Sequence, residues 1–175
     1  IAANEEVKVL DVPPLSQWIN GKWSSAQLKD VPIEELLERN VIQMDDHSVQ
    51  DDIKGKVVLV TGAAGSIGSE LVKQILSYLP SQLIALDQAE TPLFELENEI
   101  QSPLLECVIG DVRILERLQK VFEVFKPTVV YHAAAYKHVP LMENNPSEAI
   151  RTNVLGTMHL ADLAHEHGVK KFVMI

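Results

Sequence analysis

The chain has 175 residues, of which 15 are basic and 25 acidic, so its formal net charge is −10. This length suits one domain with an extension, and the acidic balance argues against general nucleic-acid binding. The single cysteine, Cys107, excludes an intrachain disulfide and favours a reducing compartment. No apolar run approaches the roughly 18 residues of a membrane span. We therefore expect a cytoplasmic protein.

Residues 1–54 are predicted to form an N-terminal arm or linker from a preceding domain. They contain 5 basic and 11 acidic residues, so −6 of the net charge lies in this segment. Within it we expect a short strand at 7–10 and one short helix over 32–39. The last part is interpreted as solvated connector because it carries Asp45, Asp46, Asp51 and Asp52.

Residues 57–79 predict a strand, a glycine turn and a helix. The run 57–60 is apolar without alternation, as expected of a strand covered on both faces of a parallel sheet. The glycines of the turn are spaced at steps of three, at positions 62, 65 and 68. The predicted core-facing stripe of the helix repeats every four residues, through Ile67, Leu71, Ile75 and Leu79.

A glycine turn in this context indicates a dinucleotide site. It lets the main chain approach a pyrophosphate, while the helix N-terminus presents free N–H groups and the positive end of its dipole. The predicted cofactor-binding residues of the turn are Gly62, Ala64, Gly65, Ser66, Ile67 and Gly68.

The remainder of the chain alternates strands and helices. Strands are predicted at 82–87, 105–109, 128–132 and 172–175, and helices at 91–100, 113–125, 140–149 and 153–167, with a break near 144–146 and Gly168 as a C-cap. This alternation implies right-handed crossovers. We therefore predict an α/β domain over 55–175, a Rossmann-like doubly wound parallel sheet of about five strands.

Asp87 ends the second strand of this domain, 19 residues after Gly68. A carboxylate there can bind both hydroxyls of an adenosine ribose and would repel a 2′-phosphate, so it favours NAD over NADP. The alternative is an acid that only closes a turn at the strand end.

The ends of the third and fourth strands supply the remaining cofactor candidates. Asp111 can accept from the adenine amino group, with the Val112 main chain alongside; equally, Asp111 can cap the helix from Arg113. Small side chains at the fourth strand end leave room for the cofactor's ribose and diphosphate, namely Ala133, Ala134 and Ala135.

The segment 136–146 is the most unusual stretch and follows the fourth strand. Its candidate substrate-binding residues are Lys137, His138, Glu143 and Asn144, and the alternative is a solvated loop. Asn153, on the next helix, is a cofactor-site candidate that either stabilises the site or caps the helix.

The other histidines and the cysteine are given structural roles. His132 is expected to be a packed, hydrogen-bonded residue within its strand, and Cys107 an inert one. His165 and His167 face different sides of a helix, so no metal site is expected.

Two motifs resemble a known family. Residues 61–70 (TGAAGSIGSE) resemble the glycine motif of extended short-chain dehydrogenase/reductases. Residues 134–146 (AAYKHVPLMENNP), together with 152–157 (TNVLGT), resemble the bacterial polysaccharide-biosynthesis branch, the UDP-N-acetylglucosamine 4,6-dehydratases. The lead-in is similar to the connector of the long, membrane-anchored members.

The resemblance implies a hidden redox cycle. NAD+ takes hydride from C4 of UDP-GlcNAc, water leaves across C5–C6, and the hydride returns to C6 to give a UDP-4-keto-6-deoxy-HexNAc. In this family the acid/base residues follow the fifth strand, beyond Ile175. The resemblance therefore implies that the chain is a fragment without catalytic residues, and we expect it to show no turnover alone.

The resemblance also bears on location and partners. It places the parent protein at the cytoplasmic face of the bacterial inner membrane, anchored through N-terminal helices, and leaves a homo-oligomer open. Two alternatives for function remain: a nucleotide-sugar 4-epimerase with the same half-site, and a non-catalytic NAD-binding module.

Overall fold

The computed structural model describes residues 10–11, 29–30 and 46–175. The chain divides into two units, Ile1–Met44 and Asp45–Ile175. In the first unit, strands β1 (Leu10–Asp11) and β2 (Lys29–Asp30) pair antiparallel. The predicted helix over 32–39, and all but the last residue of the strand predicted at 7–10, lie outside the described residues.

Helix α1 (Asp46–Ile53) begins the described part of the second unit. The interpretation of this stretch as solvated connector is therefore wrong. Ile53 is 1% exposed, and Val49, one turn earlier, packs against the same apolar cluster. Asp52 forms an ion pair with Lys171 in the last strand of the domain. Two apolar residues four apart and one ion pair therefore hold this acidic helix against the domain.

The second unit is built on one parallel sheet, which confirms the predicted Rossmann-like fold. Its five strands are arranged in the order β5-β4-β3-β6-β7. The bounds are β3 (Val57–Thr61), β4 (Gln82–Asp87), β5 (Leu105–Ile109), β6 (Val129–His132) and β7 (Lys171–Met174). The chain order reverses beside β3, and the crevice at such a switch point is where ligands bind in open α/β sheets.

Helices cover both faces of the sheet and create two apolar cores. Helices α2 (Ser66–Ser77) and α3 (Glu90–Ile100) pack on one face with α1, through residues such as Val72 and Leu93. Helices α4 (Leu115–Phe125) and α7 (Thr157–Glu166) pack on the other, through residues such as Phe122 and Leu160.

The buried stripe of α2 differs from the predicted one. Ile67 and Leu79 are 50% and 60% exposed, whereas Gly68, Val72 and Ile75 are buried. A strict four-residue repeat drifts around a helix of 3.6 residues per turn, so steps of four and three keep one face. Leu79 also lies beyond the helix end, with φ of 55°.

The region after β6 is more broken than the sequence indicated. Helix α5 (Val139–Asn144) ends where the break was predicted, and Pro146 opens the short helix α6 (Pro146–Ala149). A π-helix then runs over Ile150–Gly156 and leads directly into α7. The C-cap residue of α7 is His167, one residue before the predicted Gly168. Gly168 follows it in the left-handed conformation, with φ of 67°, that commonly ends a helix. Among the described residues, no helix is long and apolar enough to cross a membrane.

Phe122 is predicted to be a major source of stability. Phe122 lies on α4, and its side chain is 0% exposed in the apolar core beneath that helix. Phe94 on α3 is 59% exposed. We expect Phe122→Ala to lower the free energy of unfolding by about 3–5 kcal/mol. Phe94→Ala, the matched control, should change it by about 0.5 kcal/mol or less. Urea denaturation followed by circular dichroism measures both, and equal losses would contradict the assignment of the core.

Candidate functional site

A cavity of about 160 Å³ lies at the carboxyl ends of the strands, at the switch point beside β3. It brings together many of the predicted cofactor residues, namely Gly62, Gly65, Asp87, Asp111, Val112, Ala133, Ala134 and Ala135. The other predicted residues do not line it: Ala64, Ser66, Ile67, Gly68, Lys137, His138, Glu143, Asn144 and Asn153.

The glycine turn is shaped by close contacts between main-chain segments. Gly62 has φ of 69°, and a Cβ there would lie 2.6 Å from the Ala134 nitrogen. A Cβ on Gly68 would lie 2.0 Å from the Gly62 carbonyl oxygen. Only glycine therefore fits either position. The turn closes with the Gly65 N–H donating to the Gly62 carbonyl at 3.1 Å.

Helix α2 starts immediately after this turn without a side-chain cap. Its N-cap residue is Gly65, which has no side chain that could accept from the first N–H groups of the helix. The N–H groups in the first turn of an α-helix have no partner within the helix, and they carry the positive end of the helix dipole. This end of α2 can therefore receive an anionic group such as a diphosphate.

The Asp87 carboxylate connects β4 to the glycine turn. Its Oδ2 accepts from the Ala64 N–H at 3.0 Å, and its Oδ1 accepts from the Ala89 N–H at 2.9 Å. The bond from Ala89 closes a turn at the end of the strand, as the alternative interpretation expected. The bond from Ala64 joins Asp87 to a residue 23 positions earlier in the chain. Each carboxylate oxygen can accept a further hydrogen bond, so both can also accept from ribose hydroxyls.

Asp111 is held by Arg113. Nε of Arg113 lies 2.8 Å and its terminal nitrogen 2.6 Å from Asp111 Oδ2, and the Arg113 N–H donates to Oδ1 at 2.9 Å. Burial raises the pKa of Asp111, but the bonds from the Arg113 side chain and main chain outweigh burial, so the pKa lies below its usual value. The helix-cap interpretation is wrong, because α4 begins at Leu115 with Ile114 as its N-cap residue.

Arg113 also reaches across to the segment after β6. Its other terminal nitrogen lies 2.7 Å from a carboxylate oxygen of Glu148 on α6. One guanidinium group therefore connects the Asp111 corner of the cavity with the helices that follow the loop.

Asn153 braces the start of that loop. Its Oδ1 accepts from the Tyr136 N–H and its Nδ2 donates to the Tyr136 carbonyl, both at 2.8 Å. Of the two roles considered for Asn153, stabilising the site is the one that this geometry supports. The capping role is wrong, because Asn153 lies inside the π-helix and not at the start of a helix.

The candidate substrate residues lie outside the cavity wall. Lys137, His138, Glu143 and Asn144 are all exposed. Asn144 donates from its side chain to the Pro140 carbonyl at 3.0 Å, within α5. Their role in binding a substrate remains a prediction.

The structure adds cavity residues that the sequence analysis did not select, chiefly Gln88, Tyr136 and Thr152. Thr152 is 6% exposed, and its hydroxyl has no hydrogen-bond partner among the described residues. Such a buried, unpaired hydroxyl calls for an explanation. Thr152 belongs to the π-helix, an element that often marks functional sites and that no sequence periodicity announces.

Cys107 and His132 have the expected structural surroundings. Burial raises the pKa of the Cys107 thiol to about 11, which disfavours the reactive thiolate. His132 is 3% exposed and hydrogen-bonded at both ring nitrogens, which confirms its prediction as a packed residue. Its burial lowers its pKa.

Gly68→Ala is predicted to distort the turn. The new methyl group must displace the Gly62 main chain, and overpacking of this kind costs about 1–3 kcal/mol. Ser69→Ala, one residue later on the same helix, adds no atom and should leave the free energy of unfolding nearly unchanged. Urea denaturation compares the two variants, and wild-type stability in Gly68→Ala would show that the turn is looser than described.

Removing Arg113 is predicted to destabilise the fold in a pH-dependent way. The pKa of Asp111 is lower in the folded chain than in the unfolded chain, where it is about 3.9. The ionised Asp111 therefore stabilises the fold above a pH of about 3.9, and this stabilisation is lost as the pH falls through the pKa of the folded state. Arg113→Gln should therefore cost about 1–2 kcal/mol at pH 7, and the difference from wild type should shrink as Asp111 becomes protonated.

Arg117→Gln is the matched control for this experiment. Arg117 donates to the Ile109 carbonyl at 2.9 Å, and a carbonyl does not titrate. Urea denaturation between pH 7 and pH 3 follows both variants. A cost of Arg113→Gln that does not change with pH would contradict the assigned pairing.

Comparison with known proteins identifies the family of this chain. A family model described as polysaccharide biosynthesis protein matches residues 58–175. The chain is 40% identical to the capsular polysaccharide biosynthesis protein CapD of Staphylococcus aureus, over 98% of this chain and 29% of that protein. It is 39% identical to a UDP-N-acetylglucosamine 4,6-dehydratase (inverting) of Campylobacter jejuni, over 69% of this chain and 36% of that enzyme.

A solved structure gives the same result for the fold. The UDP-glucose 4-epimerase of Thermus thermophilus, in complex with NAD, superimposes with a TM-score of 0.59. It is 32% identical to this chain, over 66% of this chain and 36% of the epimerase. The match to the family model over most of the chain confirms the resemblance found in the sequence. The chain therefore belongs to the polysaccharide biosynthesis protein family.

Proposed function

We propose that this chain is the NAD-binding part of a nucleotide-sugar 4,6-dehydratase of polysaccharide biosynthesis. The observation that carries the proposal is the cavity at the switch point, which is lined both by Gly62 and Gly65 of the turn that opens α2 and by Thr152, whose buried hydroxyl has no hydrogen-bond partner among the described residues. A diphosphate-containing ligand supplies acceptors for both.

Each part of a dinucleotide has a candidate partner in or beside this cavity. The first turn of α2 would hold the diphosphate, Asp87 the adenosine ribose, and the Asp111–Val112 corner the adenine. The small side chains of 133–135 leave space near β6. When bound, NAD+ supplies the chemistry of accepting and returning a hydride, while this chain's residues bind and orient it.

Asp87 favours NAD over NADP within this site. Its carboxylate lies beside the glycine turn, tied there by the Ala64 N–H. A 2′-phosphate would bring negative charge toward a negative group, whereas two ribose hydroxyls can donate to it.

The reaction and the substrate are inferred from the relatives, of which this chain covers about a third. The dehydratase of Campylobacter jejuni carries UDP-N-acetylglucosamine in its name, and we propose the same substrate here. The exposed groups of Lys137 and His138 follow β6 and are our candidates for contacts to the nucleotide sugar.

An epimerase is the second candidate, because the NAD-bound epimerase of Thermus thermophilus has the same fold. Both activities use one cofactor site, so product analysis separates them. Incubation of the full-length protein with UDP-GlcNAc should yield a 4-keto-6-deoxy sugar, detected by mass spectrometry as loss of water. A product of unchanged mass, epimerised at C4, would favour the epimerase instead.

Cofactor preference gives a direct prediction for the 175-residue chain. Calorimetric titration should show NAD binding at least about tenfold more tightly than NADP, since one like-charge contact is worth about 1.4 kcal/mol or more. Asp87→Asn removes the charge and should narrow this ratio. Glu90→Gln, which removes an exposed charge nearby on α3, is the control and should keep it. Equal affinity of the wild-type chain for NAD and NADP would refute the role of Asp87.

A further inference from the structure

His132 is the centre of a chain of short hydrogen bonds below the cavity. Its Nδ1 lies 2.7 Å from the Thr61 hydroxyl at the end of β3. Its Nε2 lies 2.8 Å from the Thr157 hydroxyl at the start of α7. Thr61 is 0% and His132 is 3% exposed. The ring therefore joins the central strand to the helix beyond the π-helix.

The positions of the protons along this chain follow from counting donors. The Thr157 hydroxyl oxygen lies 2.7 Å from the Asn153 carbonyl oxygen, so its one proton must lie between them. Thr157 can then only accept from the ring, which places a proton on Nε2 of His132. Burial of the ring lowers the pKa of His132 and so favours its neutral form. A neutral ring with its proton on Nε2 leaves Nδ1 to accept from the Thr61 hydroxyl.

The chain of bonds continues into the cavity wall. The residue whose carbonyl receives the Thr157 proton is Asn153, and the Asn153 side chain holds the main chain of Tyr136 by two bonds of 2.8 Å. Tyr136 lines the cavity and begins the loop that carries Lys137 and His138. Orientation of the His132 ring is therefore linked to the place where that loop leaves the sheet.

We propose that His132 is a positioning residue: as the neutral Nε2–H tautomer it fixes Thr157 and Asn153, and through them the Tyr136 wall of the cofactor cavity. The part of this inference that concerns the cofactor rests on the proposed function. A buried histidine that served packing alone would not need one particular tautomer, nor a threonine hydroxyl to receive its proton.

Thr157 provides an isosteric test. Thr157→Val keeps the shape but removes both the acceptor for His132 and the donor to Asn153, whereas Thr157→Ser keeps the hydroxyl. Hydrogen exchange by NMR measures the Tyr136 amide, with the Val60 amide of the central strand as the internal reference. We expect Tyr136 to exchange about three- to tenfold faster in Thr157→Val relative to Val60, the effect of losing about one hydrogen bond, and at the wild-type rate in Thr157→Ser.

Two further readouts make the test specific. The ¹⁵N spectrum of the wild-type ring should show the proton on Nε2, and Asn153→Leu should accelerate Tyr136 exchange at least as much as Thr157→Val. Three results would each overturn the proposal. In Thr157→Val, the Tyr136 and Val60 amides could exchange faster by the same factor, or the Tyr136 amide could exchange at the wild-type rate. The third is a wild-type ring that carries its proton on Nδ1.

Titration with NAD separates this inference from the proposed function. Thr157→Val should weaken NAD binding about three- to tenfold and Thr157→Ser should not. Exchange and tautomer are measured without cofactor, so a wild-type chain that binds no NAD contradicts the proposed function, while the exchange rates still decide the role of His132. If NAD binds the wild-type chain and Thr157→Val equally well, the cofactor part of the inference is wrong.

Discussion

The close approach of three main-chain segments determines most of this structure. Gly62, Gly68 and the Ala133–Ala134 peptide lie so near one another that a single methyl group would not fit between them. That contact lies just beyond the carboxyl ends of β3 and β6, which are paired in the sheet, and brings the start of α2 onto the same point. The cavity, the free helix end and the Asp87 bond to the turn all lie around this contact, so the shape of the cavity follows from the packing at the end of the central strand.

The sequence analysis was accurate where one residue type forces one conformation. The alternation of strand-like and helix-like segments predicted the strands at 82–87 and 105–109 with their observed bounds. Because the ends of parallel strands share an edge, residues distant in sequence, such as Asp87 and Asp111, were expected to lie near one another, and both line the cavity. Pro146 and Gly168 marked a helix start and a helix end for steric reasons that do not depend on the rest of the fold.

The remaining features depend on contacts between distant segments. Helix α1 packs through Ile53 and an ion pair 119 residues away, and neither is visible in a local acidic pattern. The pairing of Asp111 with Arg113 and the brace formed by Asn153 replaced two equally reasonable capping roles. Thr152 was not selected because nothing in the spacing of apolar residues reveals a π-helix.

The π-helix over Ile150–Gly156 has a consequence for how this region can evolve. Each residue of an α-helix turns the next by about 100°, so a wider turn shifts the helical phase between its two ends. This shift lets one continuous helix direct Thr152 toward the cavity while Leu160 and Leu163 remain in the core. A deletion of one residue here would leave a longer, more regular helix whose core side is intact and whose cavity side is turned away. Insertions and deletions in this short segment are therefore a direct route by which related chains can keep the fold and reshape this cavity.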